Sequence, residues 1–240
     1  MTPPTVQSTI ADLVTANHIL AHLAVVDAFG HVSVRHPERP DRYLLSRSRA
    51  PAEVTDDDIL EFTLDSEQVT RPELAPYSER FIHGEIYRNR PQIAAICHNH
   101  AHSVLPFGIT GTPMKPVIHM ASVIGSEVGV WDIRDEFGDT DMLVTDSARG
   151  ASLARSLGTN AAILMRGHGS TVVGGSLSEA VFTAVFLKLN AETILASQQL
   201  GPVRALSSGE VELAMRAVGK PLSQSRAWDA WSRAATRSRD

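Results

Sequence analysis

A buried-strand pattern that runs directly into histidines constrains this chain more than any other feature. Residues 93–97 are Ile-Ala-Ala-Ile-Cys, and His98-Asn99-His100 follow at once. On an extended backbone, residues two apart point to the same side, so His98 and His100 can aim their imidazoles at one point. A core strand that delivers two imidazoles to one place predicts a metal site at the strand end.

A second apolar run, from Ala161 to Met165, ends just before Gly167-His168-Gly169. Catalytic zinc-type sites use about three protein ligands and leave a position open for substrate. The two glycines let the backbone pass close to a ligand, so His168 is the expected third imidazole. His102 would continue the same side of an ideal strand, but a turn is expected before Pro106. We therefore expect His102 to lie behind the ligands.

Glu79 stands in Tyr77-Ser78-Glu79-Arg80, where a helix is expected to begin. A carboxylate near a helix N-terminus is favoured by the positive end of the helix dipole, so Glu79 can be a capping or first-turn residue. The alternative is a fourth metal ligand, or an acid/base close to the metal. Local sequence leaves both interpretations open.

Two arginines, Arg47 and Arg49, alternate with serines after a predicted strand. Exposed loop arginines are usually solvated charges. Guanidinium groups also clamp carboxylates through paired hydrogen bonds, and the neighbouring serines would fit an anion pocket. Either arginine is therefore a candidate for binding a substrate carboxylate.

Length and composition exclude several classes of protein. The 240 residues can form one sizeable core, and no boundary forces a division, so we expect a single domain over residues 1–240 with a loosely held tail from about residue 220. A net charge of -5 does not favour nucleic acid. No signal peptide pattern and no apolar run of membrane-spanning length were found, and Cys97 is the single cysteine. A cytoplasmic protein without a membrane partner is expected.

Strands interleaved with helices, without strict repetition of βαβ units, indicate an α/β sandwich with a mostly antiparallel sheet. Apolar spacing and turn residues predict a helix over residues 6–23, a hairpin of strands 31–35 and 43–46, a helix opening at Ser78, and a long helix that follows a capping box at 176–179 and extends to residue 195.

Several separated motifs resemble one known family in order and spacing. Ser78-Glu79, His98-x-His100 and Arg166-Gly167-His168-Gly169, with Gly174 downstream, resemble the class II aldolase/adducin family from about residue 8 to about residue 200. The resemblance implies a three-layer α/β/α sandwich, commonly a homotetramer with active sites between subunits. It also implies a divalent metal held by the three histidines, and an acid/base or metal-contacting role for Glu79.

The chain departs from the sugar-phosphate members of that family where they bind phosphate. Those members usually carry Gly-Asn-x-Ser, Thr-Pro-Thr/Ser-Gly and Ser-Ser-Glu. Here residues 30–33, 46–51 and 77–79 are Gly-His-Val-Ser, Ser-Arg-Ser-Arg-Ala-Pro and Tyr-Ser-Glu. Two added arginines and a tyrosine favour a planar carboxylate over a phosphate.

Residues 26–33 and 106–113 look most similar to the decarboxylase branch. That branch acts on pyridine or benzene carboxylates with a neighbouring hydroxyl, such as 3-hydroxy-2-methylpyridine-4,5-dicarboxylate. We therefore expect a metal-dependent carbon–carbon lyase that decarboxylates an aromatic or heteroaromatic hydroxy-carboxylate. A divalent ion would hold the electrons left by the broken bond, and zinc, manganese, cobalt and ferrous iron all suit the predicted ligands.

The remaining predicted site residues surround this chemistry. Glu79 is the first candidate for the acid that protonates the ring carbon, and His119 is the second, although His119 could equally be a packed core histidine. Tyr77, Ser78 and His31 are expected to line the pocket, although Tyr77 and His31 could each be ordinary packing residues.

Two other functions remain open at this point. One is a retro-aldolase acting on a hydroxy-oxo acid or sugar derivative. The other is a metal-free binding module like the adducin head, although adducin-like heads lack the metal histidines that this chain keeps.

Overall fold

A single seven-stranded sheet organises residues 4–238, the part of the chain that the computed structural model describes. The strands are β1 (His31–Arg35), β2 (Arg42–Ser46), β3 (Ile59–Thr63), β4 (Ala95–Asn99), β5 (Gly129–Trp131), β6 (Ala162–Met165) and β7 (Gly169–Gly174). Their order across the sheet is β3-β2-β1-β4-β7-β6-β5. Neighbours run antiparallel except β5 and β6, which are parallel, so the sheet is mixed but mostly antiparallel, as expected.

Helices cover both faces of this sheet. They are α1 (Val6–His22), α2 (Phe81–Asn89), α3 (Leu105–Thr110), α4 (Arg134–Phe137), α5 (Ser147–Leu157), α6 (Leu177–Gln198), α7 (Ser208–Val218) and α8 (Pro221–Arg237). Helices α1, α6 and α8 pack on one face, whereas α2 and α5 pack on the other. The expected three-layer α/β/α sandwich is confirmed.

Alternate side chains of the central strand pack into two separate hydrophobic cores, one on each face of the sheet. In β4, Ala95 and Cys97 belong to the core under α1 and α6, whereas Ile96 belongs to the core under α2 and α5. Successive side chains of a strand point to opposite faces, so His98 lies on the same face as Ile96. The histidine motif therefore opens toward α2.

Several element boundaries differ from the sequence-based expectation. Strand β4 begins two residues later than expected and extends through Asn99, so His98 lies inside the strand and not beyond its end. Residues Ser78–Arg80 form a turn of 3-10 helix before α2 begins at Phe81. Ser176 caps α6 as predicted, but the Glu179 carboxylate accepts a hydrogen bond from the Gly175 amide and not from the Ser176 amide.

No segment was expected to have the length and hydropathy of a membrane span, but helix α6 has both. By length and composition alone, Leu177–Gln198 could cross a membrane. The helix packs against β4 and β7, and 56% of its most apolar window is buried. A core helix has this composition because it is enclosed on most sides.

The segment after Gly219, for which a loosely held tail or terminal helix was expected, forms helix α8. It packs against α1 and α6, and the ring centroid of Trp231 lies 6.0 Å from that of Phe182 in α6. Trp228 and Trp231 are partly buried against the hydrophobic core. Two tryptophans thus tie this helix to the outer layer.

Strand β7 approaches β4 closely at Gly169. A Cβ atom at this position would lie 2.2 Å from the Asn99 carbonyl oxygen and 2.9 Å from Cδ2 of His100. Contacts that short do not occur, so a side chain here would push β7 away from the end of the histidine motif. The absence of a Cβ lets His168 and His100 approach each other.

We predict that Gly169→Ala lowers the free energy of unfolding by roughly 1 to 3 kcal/mol, the usual cost of overpacking. The measurement is denaturant unfolding of metal-free protein, which removes any contribution from a bound ion. Gly129→Ala is the matched control, because Gly129 lies in a strand and has no atom within 4 Å of an added Cβ. Equal unfolding free energies for the two variants would contradict the close approach.

Candidate metal centre

Strand β4 presents His98 and His100 to one point on the α2 side of the sheet. His98 is fully buried, and the Nε2 atoms of the two imidazoles are 2.9 Å apart. The Nδ1 atom of His98 faces the hydroxyl of Thr171 at 3.4 Å, across the register of β4 and β7. A partner on Nδ1 orients the ring and leaves Nε2 for a ligand.

His168 reaches the same point from the turn between β6 and β7. Gly167 takes a positive φ of 64°, a conformation that favours glycine, and the His168 amide donates to the Met165 carbonyl at 3.0 Å. The His168 ring centroid lies 5.0 Å from the centroids of both His98 and His100. The turn therefore brings a third imidazole to the strand that carries the first two.

Glu79 completes the cluster from the 3-10 turn before α2. Its Oε1 atom accepts a hydrogen bond of 2.9 Å from the Val144 amide, 65 residues further along the chain. Its Oε2 atom lies 3.7 Å from Nε2 of His98 and 3.5 Å from Nε2 of His168. The carboxylate points at the histidines, and its backbone partner is the amide of a distant loop.

These four side chains fit a divalent ion. Their ligand atoms all lie within 4.8 Å of one another. In a tetrahedral site, ligands about 2.0 to 2.2 Å from the ion are separated from one another by about 3.3 to 3.6 Å. Small side-chain movements would bring the four atoms to that spacing.

The charge states of the cluster also fit a metal site. Burial lowers the pKa of His98 well below its ordinary value, against the opposing charge of Glu79, and burial and His168 lower the pKa of His100. Burial alone would raise the pKa of Glu79, but the contacts with His168 and His98 outweigh burial and hold it below its usual range. Neutral imidazoles and an ionised carboxylate are the forms that bind metal.

A cavity of about 440 Å³ opens beside the cluster. Its lining includes Glu79, His100 and His168 together with the predicted substrate-binding residues His31, Arg49, Tyr77 and Ser78. Two large apolar side chains, Phe29 and Leu143, also line it. A small molecule in this cavity would therefore meet ionic groups on one part of its surface and apolar groups on another.

The two candidate arginines have different surroundings. Arg47 does not line the cavity, and its Nε atom lies 2.5 Å from Oδ1 of the buried Asp58. Burial alone would raise the pKa of Asp58, but hydrogen bonds from Arg47 and Thr55 outweigh it and lower that pKa to about 2. Within one copy of the chain, Arg47 therefore belongs to a partly buried ion pair outside the cavity, and its role in binding a carboxylate stays a prediction.

Arg49 lines the cavity and is only loosely held. Its Nη1 atom lies 3.4 Å from Oδ1 of Asp58, and its Nε atom lies 3.8 Å from Oε2 of Glu53, too far for a hydrogen bond. Within residues 4–238 this Nε atom has no hydrogen-bond partner. The Tyr77 hydroxyl donates to the Arg49 carbonyl oxygen, which fixes the backbone of this residue. The guanidinium thus keeps donor capacity at the cavity wall.

A buried polar chain behind His31 was not anticipated from the sequence. Nδ1 of His31 lies 2.7 Å from Nε2 of His83 in α2, and Nδ1 of His83 lies 2.6 Å from the Ser33 hydroxyl, which in turn lies 2.8 Å from the hydroxyl of Tyr87. Burial lowers the pKa of His31 well below its ordinary value and, with the nearby His98, lowers the pKa of His83 to about 3. The alternation of His31 and Ser33 along β1 was the available signal.

Two other histidines lie away from the cluster. His119 is exposed at the start of a 3-10 turn over His119–Ile124 that packs against α7, and it does not line the metal-site cavity. His102 is exposed in the turn after β4 and does not line that cavity. Within one copy of the chain, both histidines therefore lie apart from the cluster of Glu79, His98, His100 and His168, and the role predicted for His119 stays a prediction.

A larger cavity of about 580 Å³ lies at the other end of β1, where Arg35, His36 and Trp228 contribute to its lining. The lining is mostly apolar. Among residues 4–238, the potential metal ligands that cluster are Glu79, His98, His100 and His168, and none of them lines this cavity.

Comparisons with known proteins agree with this geometry. Residues 11–195 match the model of the Class II Aldolase and Adducin N-terminal domain. Decarboxylase tropJ of Talaromyces stipitatus is 37% identical over 213 residues, which cover 83% of this chain and 80% of that protein. The 3,4-dihydroxyphthalate decarboxylase of Arthrobacter keyseri is 29% identical over 181 residues, or 71% of each chain.

Solved structures share the fold. An aldolase II superfamily protein from Pseudomonas syringae superposes with a TM-score of 0.83 at 20% identity, covering 98% of this chain and 94% of that one. The L-fuculose-1-phosphate aldolase of Thermus thermophilus gives a TM-score of 0.67 at 26% identity, covering 82% of this chain and 98% of that one. Decarboxylases and aldolases are both carbon–carbon lyases, which supports a lyase as the enzyme class. The chain belongs to the class II aldolase and adducin N-terminal domain family and resembles its decarboxylase branch.

Proposed function

We propose that this chain is a carboxy-lyase that depends on a divalent metal and acts on an aromatic or heteroaromatic ring bearing a carboxylate and a neighbouring hydroxyl. The observation that carries the proposal is the convergence of three imidazoles and one carboxylate beside a cavity whose wall holds Arg49. The decarboxylases among the relatives support the reaction class.

The proposed metal ligands are His98, His100 and His168, with Glu79 close enough to be a fourth. Zinc, manganese, cobalt and ferrous iron all suit this set of donors. A divalent ion held there supplies Lewis-acid stabilisation of the charge left on the substrate when the carbon–carbon bond breaks.

The residues of the chain bind the substrate and move its protons. Arg49 donates paired hydrogen bonds to a substrate carboxylate at the cavity wall, and the hydroxyls of Ser78 and Tyr77 lie on the same wall. Glu79, anchored through Oε1 to the Val144 amide, uses Oε2 to take the proton of the substrate hydroxyl and return it to the ring carbon that loses carbon dioxide. Carbon dioxide leaves without the bonding electrons, which the new C–H bond takes up.

Retro-aldol cleavage is the second candidate, because the fold is shared with an L-fuculose-1-phosphate aldolase. Both reactions leave electrons on carbon that a cation must stabilise. Arginine at the cavity wall, where sugar-phosphate members carry small donors, favours decarboxylation.

The proposal also includes assembly and location. Family resemblance supports a homotetramer with active sites shared between subunits. The single cysteine supports a cytoplasmic location.

The central prediction is release of carbon dioxide from ring hydroxy-carboxylates by metal-replete protein. A screen would include hydroxylated benzene and pyridine carboxylates, among them 3,4-dihydroxyphthalate, the compound in the name of one relative. Activity should disappear after chelation and return with a divalent metal. Aldehyde release without carbon dioxide would favour the aldolase candidate, and absence of bound metal would favour a binding module.

We predict that His98→Ala and His168→Ala each lose bound divalent metal, measured by elemental analysis of the purified protein. Removing a residue that only hydrogen-bonds to a metal ligand lowers metal affinity roughly 10- to 100-fold. Each of these variants removes a direct ligand, so its metal affinity should fall by more than that. His102→Ala is the control, since this exposed histidine lies outside the cavity. Full metal occupancy in His168→Ala would remove that residue from the ligand set.

We predict that substitution of Arg49 mainly lowers kcat/KM, whereas substitution of Arg47 mainly lowers the free energy of unfolding. Arg49→Ala should lower kcat/KM by roughly 10- to 100-fold, since hydrogen bonds to charged groups contribute about 1.5 to 3 kcal/mol, and Arg49→Lys should rescue poorly because lysine lacks the planar fork. Arg47→Ala should instead lower the free energy of unfolding by about 1.5 to 3 kcal/mol, because the buried Asp58 carboxylate loses the nearer of its two arginine partners. Steady-state kinetics and denaturant unfolding on both variants test this assignment. A loss of kcat/KM confined to Arg47→Ala would reverse it.

A further inference from the structure

A large apolar side chain stands exposed where the metal-site cavity opens. Phe29 is 68% exposed, although burial of a phenylalanine normally contributes about 1.5 to 3 kcal/mol. Single exposed apolar residues are common and need no explanation by themselves. The position of Phe29 matters because it lines the same cavity as His100, Glu79 and Arg49.

The turn that presents Phe29 is fixed to the metal-bearing strand. The Phe29 amide donates a hydrogen bond of 2.8 Å to Oδ1 of Asp27. Gly30, next in the chain, has a φ of +92°, and a Cβ on it would lie 2.8 Å from Cγ1 of Val26 and 3.0 Å from the His98 carbonyl oxygen. The backbone of this turn thus packs against the backbone of a predicted metal ligand, which fixes the point from which the Phe29 side chain extends.

A second apolar side chain is fixed to the centre from another loop. Leu143 is 37% exposed and lines the cavity. Its carbonyl oxygen accepts a hydrogen bond of 2.8 Å from Nη1 of Arg149. The next residue, Val144, donates its amide to Glu79. The contact that orients Glu79 therefore also sets the position of Leu143.

We propose that Phe29 and Leu143 form an apolar clamp for the ring of the substrate and make the site selective for ring carboxylates over open-chain carboxylates. The inference rests on the proposed function only in placing the substrate in this cavity. A flat ring held by the clamp directs its carboxylate and hydroxyl groups toward Arg49 and the metal ligands. An open-chain acid makes the same polar contacts and gains nothing from the clamp.

Binding of two unreactive dicarboxylates distinguishes the contribution of the clamp from that of the polar contacts. Phthalate and succinate both carry two carboxylates on adjacent carbons, and phthalate alone has a ring. Binding to metal-replete protein is measured by isothermal titration calorimetry, which requires no turnover. Wild-type protein should bind phthalate at least tenfold more tightly than succinate.

Phe29→Ala should weaken phthalate binding about tenfold, since truncation removes ring contacts worth roughly 1.4 kcal/mol, and should change succinate binding less than twofold. Phe29→Leu should retain part of the phthalate affinity. Ile109→Ala is the matched control, because Ile109 is 62% exposed and does not line the cavity. Metal content measured on each variant should stay at the wild-type value.

Three outcomes overturn the proposal. The first is wild-type protein that binds phthalate no more tightly than succinate, and the second is an equal loss for both acids in Phe29→Ala. The third is a change in molar mass of Phe29→Ala by light scattering, which would assign Phe29 to a contact between copies of the chain. Preserved selectivity for phthalate without carbon dioxide release from any hydroxy-carboxylate would leave the clamp standing and overturn only decarboxylation.

Discussion

Burial of His98 in the middle of the sheet is the constraint on which the rest of the site depends. Strand β4 is hydrogen-bonded on both sides, to β1 and to β7, so the position of His98 is set by two register pairs, with His31 and with Thr171. An imidazole enclosed in this way favours the neutral form, because burial penalises its charge. The sheet therefore holds His98, a candidate metal ligand, in a fixed position and favours its neutral form.

Both neighbouring segments must come close to the backbone of β4, and glycine makes each approach possible. Gly30 lies against the His98 carbonyl, and Gly169 lies against the Asn99 carbonyl. Gly30 lets the turn with Phe29 approach β4, and Gly169 lets the turn with His168 approach it. The two glycines thus place two parts of the cavity lining, the turn with Phe29 and the turn with His168, beside one strand.

The two faces of the sheet differ in the side chains that they present. The face under α1, α6 and α8 is filled with aliphatic and aromatic side chains. The face under α2 combines a second hydrophobic core with a polar chain, in which His83 and Tyr87 of α2 contact His31 and Ser33 of β1. Because both imidazoles of this chain are neutral, its hydrogen bonds couple their tautomers and hold the His31 ring in one orientation at the cavity wall.

Local geometry let the sequence alone determine the main features of the centre. The two-residue spacing of His98 and His100 and the glycines around His168 predicted one metal site, because strand periodicity and glycine conformation act over a few residues. The family was identified by the resemblance of several motifs in their order, and that resemblance implied the three-layer sandwich. Sequence could not separate Arg47 from Arg49, because both guanidinium groups contact Asp58 and they differ in how closely they approach it and in which one lines the cavity. It could not assign Glu79, whose anchor is a loop amide 65 residues away, or show that His119 lies against α7. Those contacts join segments that are distant in the chain, and only packing of the sheet and helices decides which distant groups meet.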